Sequence, residues 1–369
     1  LHCYLVYCFD LILCRHYLGL GGMGNWHREL ILGEGVWNDH QCGPLEHLHL
    51  AGCFDIREDR QAYARSVGLE PYASLETLLM DEKVDIVVCA TPNDIHKDIV
   101  MRALEAGKNV VCEKPAALNS AQFQQMMDKA KQTGKLLMVH QNRRWDEDFL
   151  AIKNLYEQGW IGELFRIESR VHGSRGIPGD WRKTPEHGGG MVLDWGVHLL
   201  DQALMMIPEK VTQVYASFTN VTNERVEDGF TAELTFENGL VFVAEVGTNN
   251  FIALPRWYVL GRDGSAVLSN WHEQGKMVRV TDRRRNDAVP VRTAAGLTKT
   301  MAPRTKDTVN EELLPRVPGD IRDFYRNVML VLEHKAEPVI TLEQVNRVML
   351  LMEAVFRSAR QHETVSFEK

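Results

Sequence analysis

The chain has 369 residues, 44% hydrophobic and 25% charged. Those proportions support sizeable cores and exclude a disordered or fibrous chain. Its formal net charge of -8, from 42 basic and 50 acidic residues, argues against nucleic acid or an anionic membrane as the main partner. Seven cysteines with no C-x-x-C pair fit a reducing, cytoplasmic setting.

The first eighteen residues are apolar but broken by Asp10, Arg15 and His16, so they hold no uncharged run of ~18 residues to cross a bilayer. No basic start or small-residue cleavage site marks a secretory signal. A first strand is expected at 14–18, with 1–13 an atypical extension. It runs into Gly19-Leu20-Gly21-Gly22-Met23-Gly24, whose glycines match G-x-G-x-x-G. That pattern allows a tight turn, close approach of backbone to a pyrophosphate, and close packing of helix on strand. A helix from Asn25 would aim its N-terminal amides at the phosphates.

A strand over 48–54 delivers Asp55, which suits the ribose hydroxyls of NAD and would repel the 2'-phosphate of NADP. Asp55 also reads as a helix cap, and Arg57 keeps NADP open. The spacing from the glycines exceeds the usual ~20 residues, because 33–46, rich in Gly, Pro, Asn and Asp, reads as an inserted loop. His40, Cys42, His47 and His49 in and after it match no familiar zinc spacing, and no metal is expected. Helices over 57–67 and 75–81, an almost wholly apolar strand over 85–90, a helix over 94–106, a strand over 109–112, a helix to 133 and a strand over 136–140 follow. This alternation predicts a doubly wound parallel sheet, which binds ligands at the carboxyl ends of its strands. Gly19, Asp55, Thr91, Lys114 and Gln141 fall at that edge. With Gly21, Gly22, Met23, Gly24, Arg57, Pro92, Asn93, His96 and Glu113 beside them, they form the candidate cofactor site.

After 1–141, residues 142–369 read as an α+β substrate-binding and oligomerisation domain. A helix over 146–158, a strand over 164–172 and a glycine turn at 188–190 precede a helix over 192–206. Alternating runs over 214–221, 231–236, 240–247, 257–260 and 277–281 predict a large, mainly antiparallel open sheet. Two amphipathic helices, over 320–335 and 342–361, close the chain. An open sheet face is often covered by another subunit, and a homo-oligomer, dimer or tetramer, is expected.

Glu113-Lys114-Pro115 and Asp194-Trp195-Gly196-Val197-His198, following the glycine motif in this order, resemble the glucose-fructose oxidoreductase and inositol dehydrogenase family, written Gfo/Idh/MocA. The resemblance covers nearly the whole chain from residue 18. It implies a nicotinamide cofactor and a catalytic group of Lys114, Asp194 and His198. The long 33–46 segment and the N-terminus depart from the pattern, at the edge of the nucleotide site.

Oxidising a secondary alcohol needs a proton acceptor at oxygen and a hydride acceptor at carbon, the second supplied by NAD. His198 suits the base, since it titrates near neutrality. Asp194, four residues earlier, should share its helix face and orient the imidazole or hold a substrate hydroxyl. Lys114 would hydrogen-bond the reacting oxygen. Asn142, Arg143, Trp145, His172, Trp181, Arg182 and Trp195 are the candidate sugar contacts. The expected activity is hydride transfer between NAD, or NADP, and a secondary hydroxyl of a small-molecule sugar or cyclic polyol. The alternative is a glycoside-processing enzyme that oxidises its sugar transiently, without net NADH. A non-catalytic sensor is disfavoured by the retained Lys114, Asp194 and His198.

Overall fold

The computed structural model describes residues 3–9, 23–33, 36–37, 40–41, 44–285, 287–298 and 300–367. Five parallel strands form the first sheet: β1 (Cys3–Phe9), β2 (Leu48–Asp55), β3 (Ile86–Ala90), β4 (Asn109–Glu113) and β5 (Leu137–His140), in the order β2-β1-β3-β4-β5. Helices α1 (Met23–Leu32), α2 (Glu58–Ser66), α3 (Leu75–Met80), α4 (His96–Glu105) and α5 (Ser120–Thr133) lie between them. β3 is buried at all five residues, as a strand covered on both faces must be. Connections leave β1 in opposite directions, to β2 on one side and β3 on the other. The ligand crevice of a doubly wound sheet lies at such a switch point.

The first strand is not where the sequence pattern put it. Residues 3–9 form it, so the presumed extension is part of the sheet. Cys3–Phe9 is an unbroken apolar run, whereas 14–18 carries Arg15 and His16, which a central strand cannot bury cheaply. Phe9 pairs with Asp55 and with Ala90, so β1 ends level with the proposed cofactor edge. The glycine motif lies between β1 and α1. Gly19, Gly21 and Gly22 fall outside the described residues, while Met23 and Gly24 open α1. The 33–46 segment contains a short hairpin, Val36–Trp37 against His40–Gln41.

The second sheet has nine strands. In chain order they are β6 (Leu164–His172), β7 (Val211–Thr219), β8 (Gly229–Phe236), β9 (Val241–Gly247), β10 (Trp257–Gly261), β11 (Gly264–Leu268), β12 (Lys276–Val280), β13 (Val309–Leu313) and β14 (Val365–Ser366). Their spatial order is β13-β12-β11-β10-β6-β9-β8-β7-β14. Pairing is antiparallel except between β6 and β9. Val214, Leu234, Phe242, Ile167 and Val259 line up across one face and are fully buried. The opposite face carries the row Tyr215, Glu233, Val243, Glu168 and Tyr258. Three further helices, α7 (Val197–Met206), α8 (Arg322–Leu332) and α9 (Leu342–Gln361), follow α6 (Glu147–Gln158).

One buried ion pair fixes α7. Arg144, in a 3-10 turn after β5, grips Asp201 of α7 with two bonds of 2.8 and 2.6 Å and reaches Gln344 of α9 at 2.9 Å. Both side chains are almost wholly buried. Removing one partner strands a charge in the core, so Arg144→Ala should lower unfolding free energy by about 3–5 kcal/mol. Urea denaturation checks this, and the double variant Arg144→Ala/Asp201→Ala should lose clearly less than the sum of the two single losses.

Candidate active site

Lys114 follows the last residue of β4, at the carboxyl edge of the parallel sheet, and its peptide to Pro115 is cis. Its ammonium donates to Asp194 Oδ1 at 3.1 Å and to the Asp194 carbonyl at 3.0 Å. The other carboxylate oxygen accepts from Arg182 Nε at 3.1 Å, and Arg182 Nη1 donates to Asp180 at 2.7 Å. Burial pushes the Asp194 carboxyl up, but the Lys114 and Arg182 charges outweigh it and hold it below the usual carboxylate range. Asp194 is therefore an anion whose task is to fix Lys114.

The expectation that Asp194 steers the His198 imidazole fails. Residues Val192–Gly196 form a π-helix that joins α7 at Val197. Its wider turn breaks the register that would stack residues four apart, and the carboxylate is taken up by Lys114 and Arg182. His198 is buried and packs edge-on against Trp195, with ring centres 5.9 Å apart. Burial, then the Lys114 and Arg143 charges, press its pKa well below the ordinary value. The ring is neutral at physiological pH, and its Nδ1 is buried with no hydrogen-bond partner. Gln141 Oε1 and Asn142 Oδ1 are likewise buried and unpartnered. Natural interiors rarely leave such atoms unsatisfied, so this edge fits a hydroxyl-rich ligand.

Glu113 does not face the edge. Its Oε1 accepts from His27 Nε2 and His140 Nδ1, both at 2.8 Å, and its Oε2 from the Lys114 amide at 3.1 Å. With His27 Nε2 protonated, the Tyr325 hydroxyl donates to His27 Nδ1 at 2.7 Å. Burial raises the Glu113 carboxyl, but His140 and His27 bring it well below its usual value. Glu113 thus positions Lys114 rather than touching a cofactor. His96 and Asn93 are also turned inward. The two ring nitrogens of His96 lie 2.9 and 2.8 Å from the Pro115 and Thr91 carbonyls, and the Asn93 amide donates to the Gly188 carbonyl at 2.9 Å. Thr91 is nearly buried beside Cys89, its hydroxyl 3.5 Å from the sulfur, and Pro92 caps the turn that follows. Asp55 ends β2 fully buried and accepts the Arg57 amide at 2.9 Å, so it serves the turn into α2 as well. The Arg57 guanidinium pairs with exposed Asp59 at 2.6 Å.

The expected sugar contacts divide. Arg143 lies 4.3 Å above the Trp195 ring and 5.0 Å from that of Trp271, and pairs with Asp146 at 2.8 Å. Trp181 sits under Arg182 at 4.7 Å. His172 is held by Glu245 and by the Leu254 amide, and half-buried Trp145 packs edge-on against Phe324. Sequence reasoning missed His27, His140, Tyr325, Trp271 and Glu227. His140 alone had a visible signal, as a polar residue ending an apolar strand.

Residues 19–141 match the NAD-binding Rossmann domain of an oxidoreductase family, and 149–267 match the GFO/IDH/MocA C-terminal domain. The chain is 31% identical over 332 residues to an oxidoreductase of Schizosaccharomyces pombe, covering 83% of this chain and 88% of that one. It is 28% identical to the scyllo-inositol 2-dehydrogenase (NADP(+)) IolW of Bacillus subtilis, over 80% and 82% of the two chains. The crystal structure of an NAD-binding protein from Listeria innocua superposes with a TM-score of 0.89 at 45% identity, covering 99% of each chain. The fold and these likenesses define a nicotinamide-dependent oxidoreductase. The chain belongs to the Gfo/Idh/MocA family.

Glu227 underlies the π-helical turn that carries Asp194. Its Oε1 accepts the Val192 amide at 3.0 Å, and a Cβ on Gly190, whose φ is +102°, would meet that oxygen at 2.3 Å. Burial pushes this carboxyl from 4.5 up to about 7. The folded state keeps a proton that the unfolded chain releases earlier. The associated stability is full below pH 4.5 and is lost as pH rises towards about 7. Glu227→Gln keeps the acceptor oxygen but cannot titrate. Wild type should therefore lose about 3 kcal/mol relative to this variant between pH ~4.5 and ~8, read by urea unfolding at each pH.

Proposed function

We propose that this protein oxidises a secondary hydroxyl of a sugar or cyclic polyol with NAD, and can run the reverse reduction. The observation that carries this reading is the pairing of a fixed ammonium, Lys114, with a neutral buried imidazole, His198, at the carboxyl edge of the NAD-binding sheet. When bound, NAD would supply the hydride acceptor. Lys114, held by Asp194, hydrogen-bonds the substrate oxygen and stabilises the negative charge that grows as its proton leaves. His198, uncharged, takes that proton at an imidazole nitrogen. Arg182 does not bind substrate in this reading; it keeps Asp194 ionised and in place. Trp195 and Arg143 form the wall of the substrate cleft.

NAD is preferred over NADP. The Asp55 carboxylate suits ribose hydroxyls and repels a 2'-phosphate, while the Arg57 guanidinium is already held by Asp59. The name of the B. subtilis relative supports an inositol-like substrate. We take residue 141 as the boundary between the two domains, since β5 ends at His140. The uncovered face of the nine-stranded sheet would seat a second copy in a dimer or tetramer. Among the described residues no helix is long and apolar enough to cross a membrane, and the cysteine usage supports a cytoplasmic setting.

Absorbance near 340 nm, with NAD or NADP and a panel of polyols and sugars, tests this reading. NADH should appear with a polyol or sugar, and Lys114→Ala should cut turnover by about 10²- to 10⁴-fold while NAD still binds. Full turnover by the variant overturns the mechanism. Cleavage of a glycoside with no net NADH, and NAD released on denaturation, would replace net dehydrogenation by transient oxidation of the sugar.

A further inference from the structure

Beneath the catalytic edge lies a buried cluster that hydride transfer does not use. Cys89 is the penultimate residue of β3 and Cys112 that of β4, and the two are direct partners across the parallel ladder. Cys89, Cys112 and His96 are 0% exposed. The two sulfurs and a His96 ring nitrogen lie within 4.8 Å of one another. Neighbouring strands run ~4.8 Å apart, and a disulfide accepts Cα separations of about 4.4–6.8 Å. The ladder therefore already holds the pair at bridging range.

His96 gives the cluster its polarity. Each ring nitrogen faces a carbonyl oxygen, of Pro115 at 2.9 Å and Thr91 at 2.8 Å. Carbonyls only accept, so a ring N–H is held by them and the ring is fixed beside the two sulfurs. Burial pushes the Cys89 thiol up, but the Cys112 S–H, the His96 charge and Thr91 outweigh it and bring it below the ordinary thiol value. Burial and Cys89 push Cys112 up. Cys53 is as deeply buried but lacks this company; burial, with Asp55 behind it, drives that thiol to about 11.

We propose that Cys89 and Cys112 are a peroxide-reactive dithiol, with Cys89 the attacking sulfur and Cys112 the resolving one. Their disulfide ties the turn after β3 to the Lys114 turn after β4. The Cys89 thiolate attacks one oxygen of a hydroperoxide: an S–O bond forms, the O–O bond breaks, and the other oxygen leaves as water or an alcohol with the proton that the Cys89 thiol gave up. The Cys112 sulfur then attacks the sulfenic sulfur. The S–S bond forms, the S–O bond breaks, and hydroxide leaves as water with the Cys112 proton. The two thiols lose two electrons in all and the peroxide gains them. A metal ion suits the cluster less well, because both His96 nitrogens already face carbonyls.

The full reduced chain is treated with hydrogen peroxide, alkylated after denaturation and mapped by peptide mass. The expected product is a Cys89–Cys112 linked peptide, lost on treatment with dithiothreitol, with Cys53 still fully alkylated. Cys112→Ser should leave Cys89 as a sulfenic acid that dimedone captures. The proposal is overturned if Cys89 and Cys112 are both recovered as free thiols at a dose that oxidises Met301, which is 86% exposed. Oxidation of Cys53 to the same extent overturns it too. So does reduced protein that retains one zinc ion per chain when incubated with zinc, with both thiols then blocked to peroxide.

Discussion

A carboxylate without water is the constraint around which the site is built. Glu113 is almost fully buried at the end of β4, where an unpaired charge would cost several kcal/mol. Its donors come from three separate parts of the chain: His27 on α1, His140 at the end of β5, and the amide of Lys114 itself. Tyr325 on α8 fixes His27. Satisfying one charge therefore docks the helix after the glycine motif, the last parallel strand and a C-terminal helix onto the turn that presents Lys114. The His140 ring also packs edge-on against Phe324, with centres 4.7 Å apart, so apolar contact reinforces the polar one. Because every donor must arrive at once, the geometry of the Lys114 turn is over-determined.

A second buried carboxylate works on the other side of the same lysine. Asp194 shares its two oxygens between Lys114 and Arg182, and Asp180 in turn holds Arg182. The chain of alternating charges leaves Lys114 with a fixed direction. It leaves His198 as an uncharged group among cations, since burial and then the Lys114 and Arg143 charges oppose its protonation. The two side chains thus sit in contrasting surroundings: the ammonium of Lys114 against the Asp194 carboxylate, and the His198 imidazole buried beside cations.

The parallel sheet was legible because its strands are buried on both faces and alternate with capped helices. Asn119 caps α5 and Gly134 ends it in the left-handed region, so the helix stops at Thr133 as the sequence pattern implied. The second sheet was legible only in part. β11, β13 and β14 were missed, since Gly264–Leu268 and Val309–Leu313 are short and only partly buried and Val365–Ser366 is two residues long, which weakens alternation. The first strand was misplaced because the glycine motif drew it to the adjacent residues. Lys114, Asp194 and His198 stood out as a motif, but their partners did not. Arg182 looked like a sugar contact because nothing local marks an arginine whose two carboxylates come from Asp180 and a helix twelve residues on. His27 and Tyr325 lie 298 residues apart, and no spacing rule joins them. The π-turn was invisible for another reason: a five-residue bond pattern leaves the same apolar rhythm as an α-helix over so short a stretch.

The contrast between satisfied and unsatisfied polar atoms says where binding energy is available. The carboxylate oxygens of Glu113 and Asp194 meet partners inside the chain. Along the carboxyl edge the pattern reverses: Gln141 Oε1, Asn142 Oδ1 and His198 Nδ1 are buried without partners. Each such atom costs the folded state about 1–3 kcal/mol. Two of them are acceptor oxygens, and the neutral imidazole can offer a third acceptor. A ligand presenting several O–H donors recovers those losses, whereas one that lacks them leaves the atoms stranded. Discrimination by missing hydrogen bonds is far sharper than discrimination by an extra methylene. These unpartnered atoms are what supports a hydroxyl-rich substrate in the proposed reading.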